Sequence, residues 1–270
     1  MTLPIFRAGD DPGPSFLEVL RRRGGRGLDR LADAGPSVPE VAHGTTVLAV
    51  RYADGVLMAG DRRATSGNLI ARRSVEKIFP ADRHSGVAIA GALGPALEMV
   101  KLFQLQLEHY EKVENAELSL EGKANQLGQM VRDHLPAARQ GLVVVPLFAG
   151  YDMRRGTGRL FEYDVTGGRY EEIDIAATGS GSLHAGMAVK VGYRPGLDLT
   201  AVVDLVVSAL FEAADEDSAT GGPDPVRGIY PLLATITADG FAYLDEALVA
   251  ERFAAQLALL GRRSAGTTAP

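Results

Sequence analysis

Three polar residues in the first third of the chain have a spacing that could bring them together. Asp61 follows Thr45 by 16 residues, and Lys77 follows Asp61 by 16. A hairpin that turns at residues 53–55 pairs positions whose numbers sum to about 107–109, so Thr45 is predicted to lie across from residues 61–64. A third strand that ends near Lys77 would place all three side chains at one end of a sheet.

This trio has the parts of a nucleophilic site if Thr45 supplies its own base. A threonine hydroxyl is a weak nucleophile that needs a base, and none of the five histidines lies in a recognisable triad motif. An α-amino group on Thr45 would serve, because its unperturbed pKa is about 7.7–8.0. That amine exists only if the bond between Gly44 and Thr45 is cut. Lys77 would lower the pKa of the amine by like-charge repulsion, and Asp61 would keep the lysine protonated and in place.

The spacing also fits a second interpretation that involves no chemistry. Asp61 and Lys77 would then form an ordinary surface ion pair, and Thr45 would be an ordinary strand residue. Geometry alone leaves both interpretations open.

The composition excludes several classes of function. The chain has 270 residues, which suffices for one large domain or two small ones. It contains no cysteine, which excludes a disulfide framework, a thiolate metal site and a cysteine nucleophile. The net charge of −6 argues against nucleic-acid binding as the main activity, and the longest apolar run, residues 142–150, is too short to span a bilayer. We expect a soluble cytoplasmic protein with no cofactor, no bound metal, and no nucleic-acid or membrane partner.

The first 44 residues differ from the rest. They hold six arginines and six acidic residues and are therefore neutral, and glycine and proline recur in them. They lack the continuous apolar region of a secretory signal. Their composition fits either a disordered tail or a pro-segment.

Beyond residue 44, the hydrophobic pattern alternates between strands and helices. Strands are predicted at 45–52, 56–60, 74–79, 86–90, 142–151, 160–163, 170–175, 232–237 and 241–244. Helices are predicted at 97–110, 120–135, 183–191, 200–214 and 246–260. Hairpins dominate and strict βαβ alternation is missing, which favours an α+β fold of two antiparallel sheets packed face to face with helices outside. We expect one domain over 45–270, with a flexible tail from about 262 to 270.

Several separated motifs resemble the β subunits of the 20S proteasome. They are Gly44-Thr45-Thr46-Val47, Gly60-Asp61-Arg62-Arg63-Ala64-Thr65, Glu76-Lys77-Ile78, Ile89-Ala90-Gly91, Ala177-Thr178-Gly179-Ser180-Gly181-Ser182 and Asp217-Ser218-Ala219-Thr220-Gly221-Gly222. They occur in the family's order and spacing from residue 44 to about 250. The arginine-rich, cysteine-free chain with its long pro-segment looks most like an actinobacterial member.

The resemblance implies an N-terminal-nucleophile hydrolase with a four-layer αββα sandwich. Thr45 matches the catalytic threonine, whose hydroxyl is the nucleophile and whose freed amine is the base. Lys77 matches the lysine that tunes this amine, and Asp61 matches the acid that orients the lysine. Gly91 matches the residue whose backbone N–H stabilises the oxyanion.

Further positions follow from the same resemblance. Ser180 and Asp217 match supporting residues near the amine, and Thr220 stands where many members have serine but retains the hydroxyl. Thr65 matches a threonine that pairs with the substrate backbone. The positions that line the first specificity pocket hold Ala64, Val75 and Ile89. All three are apolar, which predicts cleavage after apolar residues.

The resemblance also implies processing and partners. Residues 1–44 would be a propeptide, removed by self-cleavage at Gly44–Thr45 on assembly with α subunits. The family forms stacked seven-membered rings of α and β subunits, and a regulatory ring ATPase delivers unfolded proteins through the α ring.

Three alternatives remain at this point. The chain could be a non-catalytic structural ring subunit of the same fold, or a different amidase with the same mechanism. A nucleotide-binding loop is suggested by the spacing of Gly179, Gly181 and Gly186. No βαβ unit surrounds that loop, and Asp204 falls inside a helical pattern rather than at a strand end.

Overall fold

A computed structural model of the chain describes residues 44–266. The predicted pro-segment before Gly44 and the last four positions of the predicted tail lie outside the described residues.

The strands and helices follow one another along the chain in runs. The strands are β1 (Thr46–Tyr52), β2 (Gly55–Gly60), β3 (Ala64–Ser66), β4 (Leu69–Arg72), β5 (Ile78–Asp82), β6 (Ser85–Gly91), β7 (Val144–Asp152), β8 (Thr157–Tyr163), β9 (Arg169–Glu172), β10 (Ile175–Gly179), β11 (Leu232–Thr237) and β12 (Gly240–Tyr243). The helices are α1 (Leu93–Glu114), α2 (Leu120–Asp133), α3 (Leu135–Ala138), α4 (Ser182–Gly192), α5 (Leu199–Glu216) and α6 (Glu246–Gly266).

Two five-stranded antiparallel sheets form the centre of the fold. The first has the order β10-β1-β2-β11-β12, and the second has the order β5-β6-β7-β8-β9. Strands β3 and β4 form a separate hairpin. Within the first hairpin, Val47 pairs with Gly60 and Tyr52 with Gly55, which confirms the predicted register.

Three buried apolar clusters separate four layers. One lies between the first sheet and helices α4, α5 and α6, and includes Phe253. A second lies between the two sheets and includes Met58. The third lies between the second sheet and helices α1 and α2, where the rings of Phe103 and Phe148 meet edge to face at 5.9 Å. The αββα sandwich expected from the sequence is therefore confirmed.

Some element boundaries differ from the predicted ones. The strand predicted at 74–79 begins only at Ile78, because the residues before it form an extended loop that joins β4 to β5. The strand predicted at 170–175 is two strands, β9 and β10, that belong to different sheets. The chain crosses between the sheets at Asp174, whose side chain accepts a hydrogen bond from Arg51 of β1.

Two further differences concern exposed segments. The β3–β4 hairpin was not predicted, because β4 is exposed along its whole length and shows no alternation of polar and apolar residues. Helix α6 continues to Gly266, so the first part of the predicted tail is helical. Among the described residues, no helix combines the length and apolar character needed to span a bilayer.

Candidate active site

A buried ion pair joins the end of β2 to the loop before β5. Asp61 is fully buried, and its Oδ1 accepts hydrogen bonds from Lys77 Nζ at 2.5 Å and from the Thr46 N–H at 2.8 Å. Its Oδ2 accepts from the N–H groups of Arg63 at 2.9 Å and Gly221 at 2.8 Å. Lys77 Nζ also donates to the Arg63 carbonyl at 2.6 Å. The carboxylate is held by four donors, and the lysine is held by the carboxylate.

The surroundings of Lys77 act on its pKa in opposite directions. Burial favours the neutral amine, whereas the charge and hydrogen bond of Asp61 favour the ammonium. Burial is the larger effect, so the pKa of Lys77 lies below its ordinary value. Asp61 thus offsets only part of the cost of burying this cation.

Thr45 lies immediately before β1 and is buried. Its hydroxyl donates a hydrogen bond to the carbonyl oxygen of Gly44 at 2.7 Å. Its backbone N–H donates to Ser180 Oγ at 3.3 Å. The N–H of Gly44 donates to Thr65 Oγ1 at 3.0 Å, so the residue before Thr45 is tied to β3. In the uncut chain, the Thr45 hydroxyl therefore lies against the carbonyl group of the peptide bond that joins Gly44 to Thr45.

A second carboxylate is linked to the backbone nitrogen of Thr45 through the hydroxyl of Ser180. Asp217 Oδ2 accepts hydrogen bonds from Ser180 Oγ at 2.5 Å and Thr220 Oγ1 at 2.6 Å. Burial opposes ionisation of Asp217, but the hydrogen bonds from Ser180 and Thr220, with one from the Ala219 N–H, hold the pKa of this carboxyl below its ordinary value. Asp217 is therefore an acceptor that fixes the orientation of the Ser180 hydroxyl.

Thr46 belongs to the same network, although sequence analysis did not single it out. Its Oγ1 lies 2.5 Å from Thr220 Oγ1 and accepts the N–H of Gly181 at 3.1 Å. Its backbone N–H is bound by Asp61. Thr46 therefore links the two carboxylate clusters through β1. The sequence could have indicated this role, because Thr46 directly follows Thr45 and side chains alternate along a strand. The Thr46 side chain is therefore expected on the opposite face from that of Thr45.

A cavity of about 300 Å³ opens beside Thr45. Lys77 and Gly91 share its wall with Thr45. All four predicted substrate-binding residues line it as well: Ala64, Thr65, Val75 and Ile89. Residues that the sequence did not indicate complete the wall, and they include Ala71, Arg72, Leu93, Pro95 and Leu142. Most of this lining is apolar, in keeping with the predicted pocket.

Gly91 is required by the backbone around it. Its φ is +102°, a region that favours glycine, and a Cβ at this position would lie 2.1 Å from the carbonyl oxygen of Val143. Val143 is in turn held by the N–H of Ala92 at 2.7 Å. The structure thus gives a reason for this glycine that is separate from the approach of a substrate carbonyl.

Two of the three glycines that suggested a nucleotide loop, Gly179 and Gly181, pack closely against Thr45 and Thr46 at the start of β1. A Cβ at Gly179 would lie 2.0 Å from the carbonyl oxygen of Thr45, and one at Gly181 would lie 2.3 Å from Thr46 Oγ1. The preceding strand, β10, pairs antiparallel with β1 and is followed by two helices in succession. The local fold is therefore not the βαβ unit that a dinucleotide loop requires.

Comparisons with known proteins identify the family of this chain. A family model described as "Proteasome subunit" matches residues 41–226. The chain is 57% identical over 251 residues to the "Proteasome subunit beta" of Acidimicrobium ferrooxidans, a match that covers 93% of this chain and 92% of the relative. It is 57% identical over 242 residues to the protein of the same name from Streptomyces griseus, covering 87% of this chain and 85% of the relative. The "Proteasome subunit beta 2" of Thermomonospora curvata is 50% identical over 258 residues, a match that covers 95% of this chain and 92% of the relative.

Proposed function

Because this chain belongs to the proteasome subunit family, as a β subunit of the actinobacterial type, we propose that it is a catalytic threonine endopeptidase of the 20S core particle. The observation that carries the proposal is the position of the Thr45 hydroxyl. It lies 2.7 Å from the Gly44 carbonyl oxygen and at the wall of a cavity that it shares with Lys77. A purely structural subunit needs neither the nucleophile nor the buried lysine in this place.

The first reaction is self-cleavage of the Gly44–Thr45 bond. The Thr45 hydroxyl oxygen attacks the Gly44 carbonyl carbon, the carbon–nitrogen bond breaks, and the nitrogen takes up the proton that the hydroxyl gives up. The product is an ester between Gly44 and the Thr45 side chain. Water then hydrolyses this ester, which leaves a carboxylate on Gly44 and frees the hydroxyl of Thr45, whose amine the preceding step had already released.

The freed amine is the base for the second reaction, cleavage of substrate peptides. It accepts the hydroxyl proton while the oxygen attacks the substrate carbonyl, and it returns a proton to the leaving amine. Water then resolves the acyl-enzyme ester. The charge of Lys77 lowers the pKa of the amine, so that more of it is a free base at neutral pH. Ser180 accepts a hydrogen bond from the Thr45 N–H in the uncut chain and keeps the Thr45 nitrogen in place after cleavage. The backbone N–H of Gly91 stabilises the oxyanion.

The cavity determines which substrates fit. Ala64, Val75 and Ile89 offer an apolar surface to the residue before the cleaved bond, which supports a preference for apolar residues there. The proposed substrates are unfolded proteins. Delivery by a ring ATPase through partner α subunits, and assembly with further β subunits in stacked seven-membered rings in the cytoplasm, belong to the same proposal.

The test uses the assembled particle. The wild type should begin at Thr45 by mass spectrometry and cleave fluorogenic peptides with an apolar residue before the bond. Thr45→Ala should keep residues 1–44 attached and lose activity to background, because both reactions need the hydroxyl. Thr200→Ala, which changes an exposed threonine of α5, is the matched control and should be processed and active.

Two outcomes would contradict the proposal. An assembled wild-type particle that retains residues 1–44 and cleaves no peptide would identify a structural subunit. A particle that cleaves after acidic residues in preference to apolar ones would refute the assigned pocket while leaving the nucleophile in place.

A further inference from the structure

Arg72 adds a positive charge to a cavity whose lining is otherwise largely apolar. It is the last residue of β4 and pairs with Ala64 of β3. Cross-strand neighbours project from the same face of a hairpin, and both residues line the cavity. In the part of the chain that the structure describes, no carboxylate forms an ion pair with Arg72. The guanidinium is therefore available to a ligand in the cavity.

Two of the neighbouring arginines hydrogen-bond to other parts of the chain, and a third lines a different cavity. Arg62 donates to Ser74 Oγ at 2.9 Å, and Arg63 donates to the Ser218 carbonyl at 2.8 Å. Arg73 lies within electrostatic reach of Asp224 and lines a separate, smaller cavity. Arg72 thus differs from Arg73 in the cavity that it faces, although the two are adjacent and carry the same charge.

The position of β3 indicates which part of a substrate meets Arg72. Gly44, the residue before the bond to be cut, is tied to Thr65 of β3. An extended substrate that follows the same path has side chains that alternate between its two faces. If the residue before the bond fills the apolar part near Val75 and Ile89, the residue two positions further upstream faces the same side, where Arg72 lies beside Ala64.

We propose that Arg72 makes this site favour substrates with an acidic side chain two residues upstream of the residue that fills the apolar pocket. This inference rests on the proposed peptidase function and adds a second specificity determinant to it. Arginine suits this role because its planar guanidinium can bind a carboxylate with two parallel hydrogen bonds. A lysine or arginine at the same substrate position would be disfavoured by like-charge repulsion.

The expected preference is moderate, because Arg72 is exposed in the free site. An exposed ion pair stabilises a complex only slightly, and a hydrogen bond to a charged group stabilises it more. We therefore expect kcat/KM to differ by roughly 3- to 10-fold between a substrate with an acidic residue at this position and one with a neutral residue. The preference should shrink as salt is added, since exposed charges are screened. Neither effect is expected from apolar contacts alone.

The experiment compares peptides that share one apolar residue before the cleaved bond and carry Glu, Gln or Lys two residues upstream. In the wild-type particle, the ratio of kcat/KM for the Glu peptide to that for the Gln peptide should be roughly 3 to 10 at low salt. Arg72→Gln should bring this ratio close to one, and Arg72→Glu should favour the Lys peptide. Arg73→Gln removes the same charge one residue away and should keep the wild-type ratio.

The inference is overturned if the wild-type ratio is close to one, if Arg72→Gln leaves it unchanged, or if Arg73→Gln lowers it as much. Placing Glu at the other upstream positions tests the assignment, and a stronger preference there would refute the proposed position. A wild-type particle that cleaves none of the peptides, the neutral Gln peptide included, would refute the peptidase function itself and the inference with it. Cleavage of the Gln peptide without discrimination refutes the role of Arg72 alone.

Discussion

Lys77 and Lys123 are equally buried, at 3% exposure each, but have different surroundings. Lys77 has one carboxylate partner, the fully buried Asp61, and lines the cavity that contains Thr45. Lys123 of α2 has two carboxylate partners, Asp82 at the end of β5 and Glu117 before α2. Burial of a lysine is therefore not sufficient to indicate chemistry.

The two lysines differ in the hydroxyl beside them and in how far carboxylates offset their charge. The Lys123 cluster also lines a cavity, of about 430 Å³, but the serine there, Ser119, caps α2 by accepting the N–H of Gly122. The two carboxylates offset the charge of Lys123, and one of them is 40% exposed. At Lys77, burial outweighs the single carboxylate and lowers the pKa. A lysine with a lowered pKa beside an apolar cavity and a hydroxyl is suited to tune a reaction, whereas the Lys123 cluster connects α2 to the second sheet.

The sharpest test of this comparison makes the same substitution in both clusters, and the larger effect on activity is expected at the first. Lys77→Met should lower peptide hydrolysis by the assembled particle by at least about 100-fold, because the amine loses the charge that tunes its pKa. Mass spectrometry of the N-terminus measures the fraction of chains that begin at Thr45, so that hydrolysis is compared per processed subunit. The fold should persist, since Asp61 keeps its three backbone N–H donors. Near-normal hydrolysis by Lys77→Met would mean that the two lysines differ only in location.

Lys123→Met should show the opposite profile. Asp82 Oδ2 would lose the partner that offsets its burial, so we expect a loss of about 2 kcal/mol in the free energy of unfolding. Particles that do assemble should hydrolyse peptides at the wild-type rate. Denaturant unfolding of the chain measures the first effect, and kcat per assembled particle measures the second. A large loss of kcat with unchanged stability would contradict the structural role of this lysine.

The smallest expected effect concerns acid stability at Asp217. Its pKa is lower in the folded chain, so its contribution to stability is fully present above its ordinary pKa near 4 and is lost as the pH falls through the lowered value. Asp217→Asn should therefore lower Tm at neutral pH and lower it less below pH of about 4. We expect a difference of roughly 2 °C or less, because interactions of a partly exposed carboxylate contribute no more than about 1 kcal/mol. A constant difference across the whole pH range would show that ionisation of Asp217 is irrelevant to stability.

Sequence alone located the first part of the site because hairpin geometry is local. A turn at 53–55 fixes the register of β1 and β2, and a slip by one residue would reverse every side chain of β1. The approach of Asp61 to the start of β1, where it hydrogen-bonds to Thr46 next to Thr45, could therefore be predicted. The contact between Lys77 and Asp61 was predicted from a strand that the structure does not have, because Lys77 lies in the loop before β5. The loop nevertheless brings Lys77 to Asp61.

The rest of the site depends on contacts between distant parts of the chain. Ser180 reaches Thr45 because β10 pairs with β1, and Asp217 reaches Ser180 because α5 ends at that point. No local periodicity encodes either meeting, so only the family resemblance indicated them. Arg72 escaped notice for another reason: its hairpin is exposed and buries no face, so it leaves no hydrophobic pattern in the sequence.

The contact between the Thr45 hydroxyl and the Gly44 carbonyl also has a kinetic consequence. In the uncut chain the proposed first substrate is covalently attached to its nucleophile, and well-oriented attached groups react as if present at about 10⁵–10⁸ M. Self-cleavage is then a first-order event whose rate does not depend on the concentration of particles once they have formed. Because the proposed self-cleavage happens only once per subunit, it tolerates a slower rate, and therefore a weaker base, than repeated turnover requires.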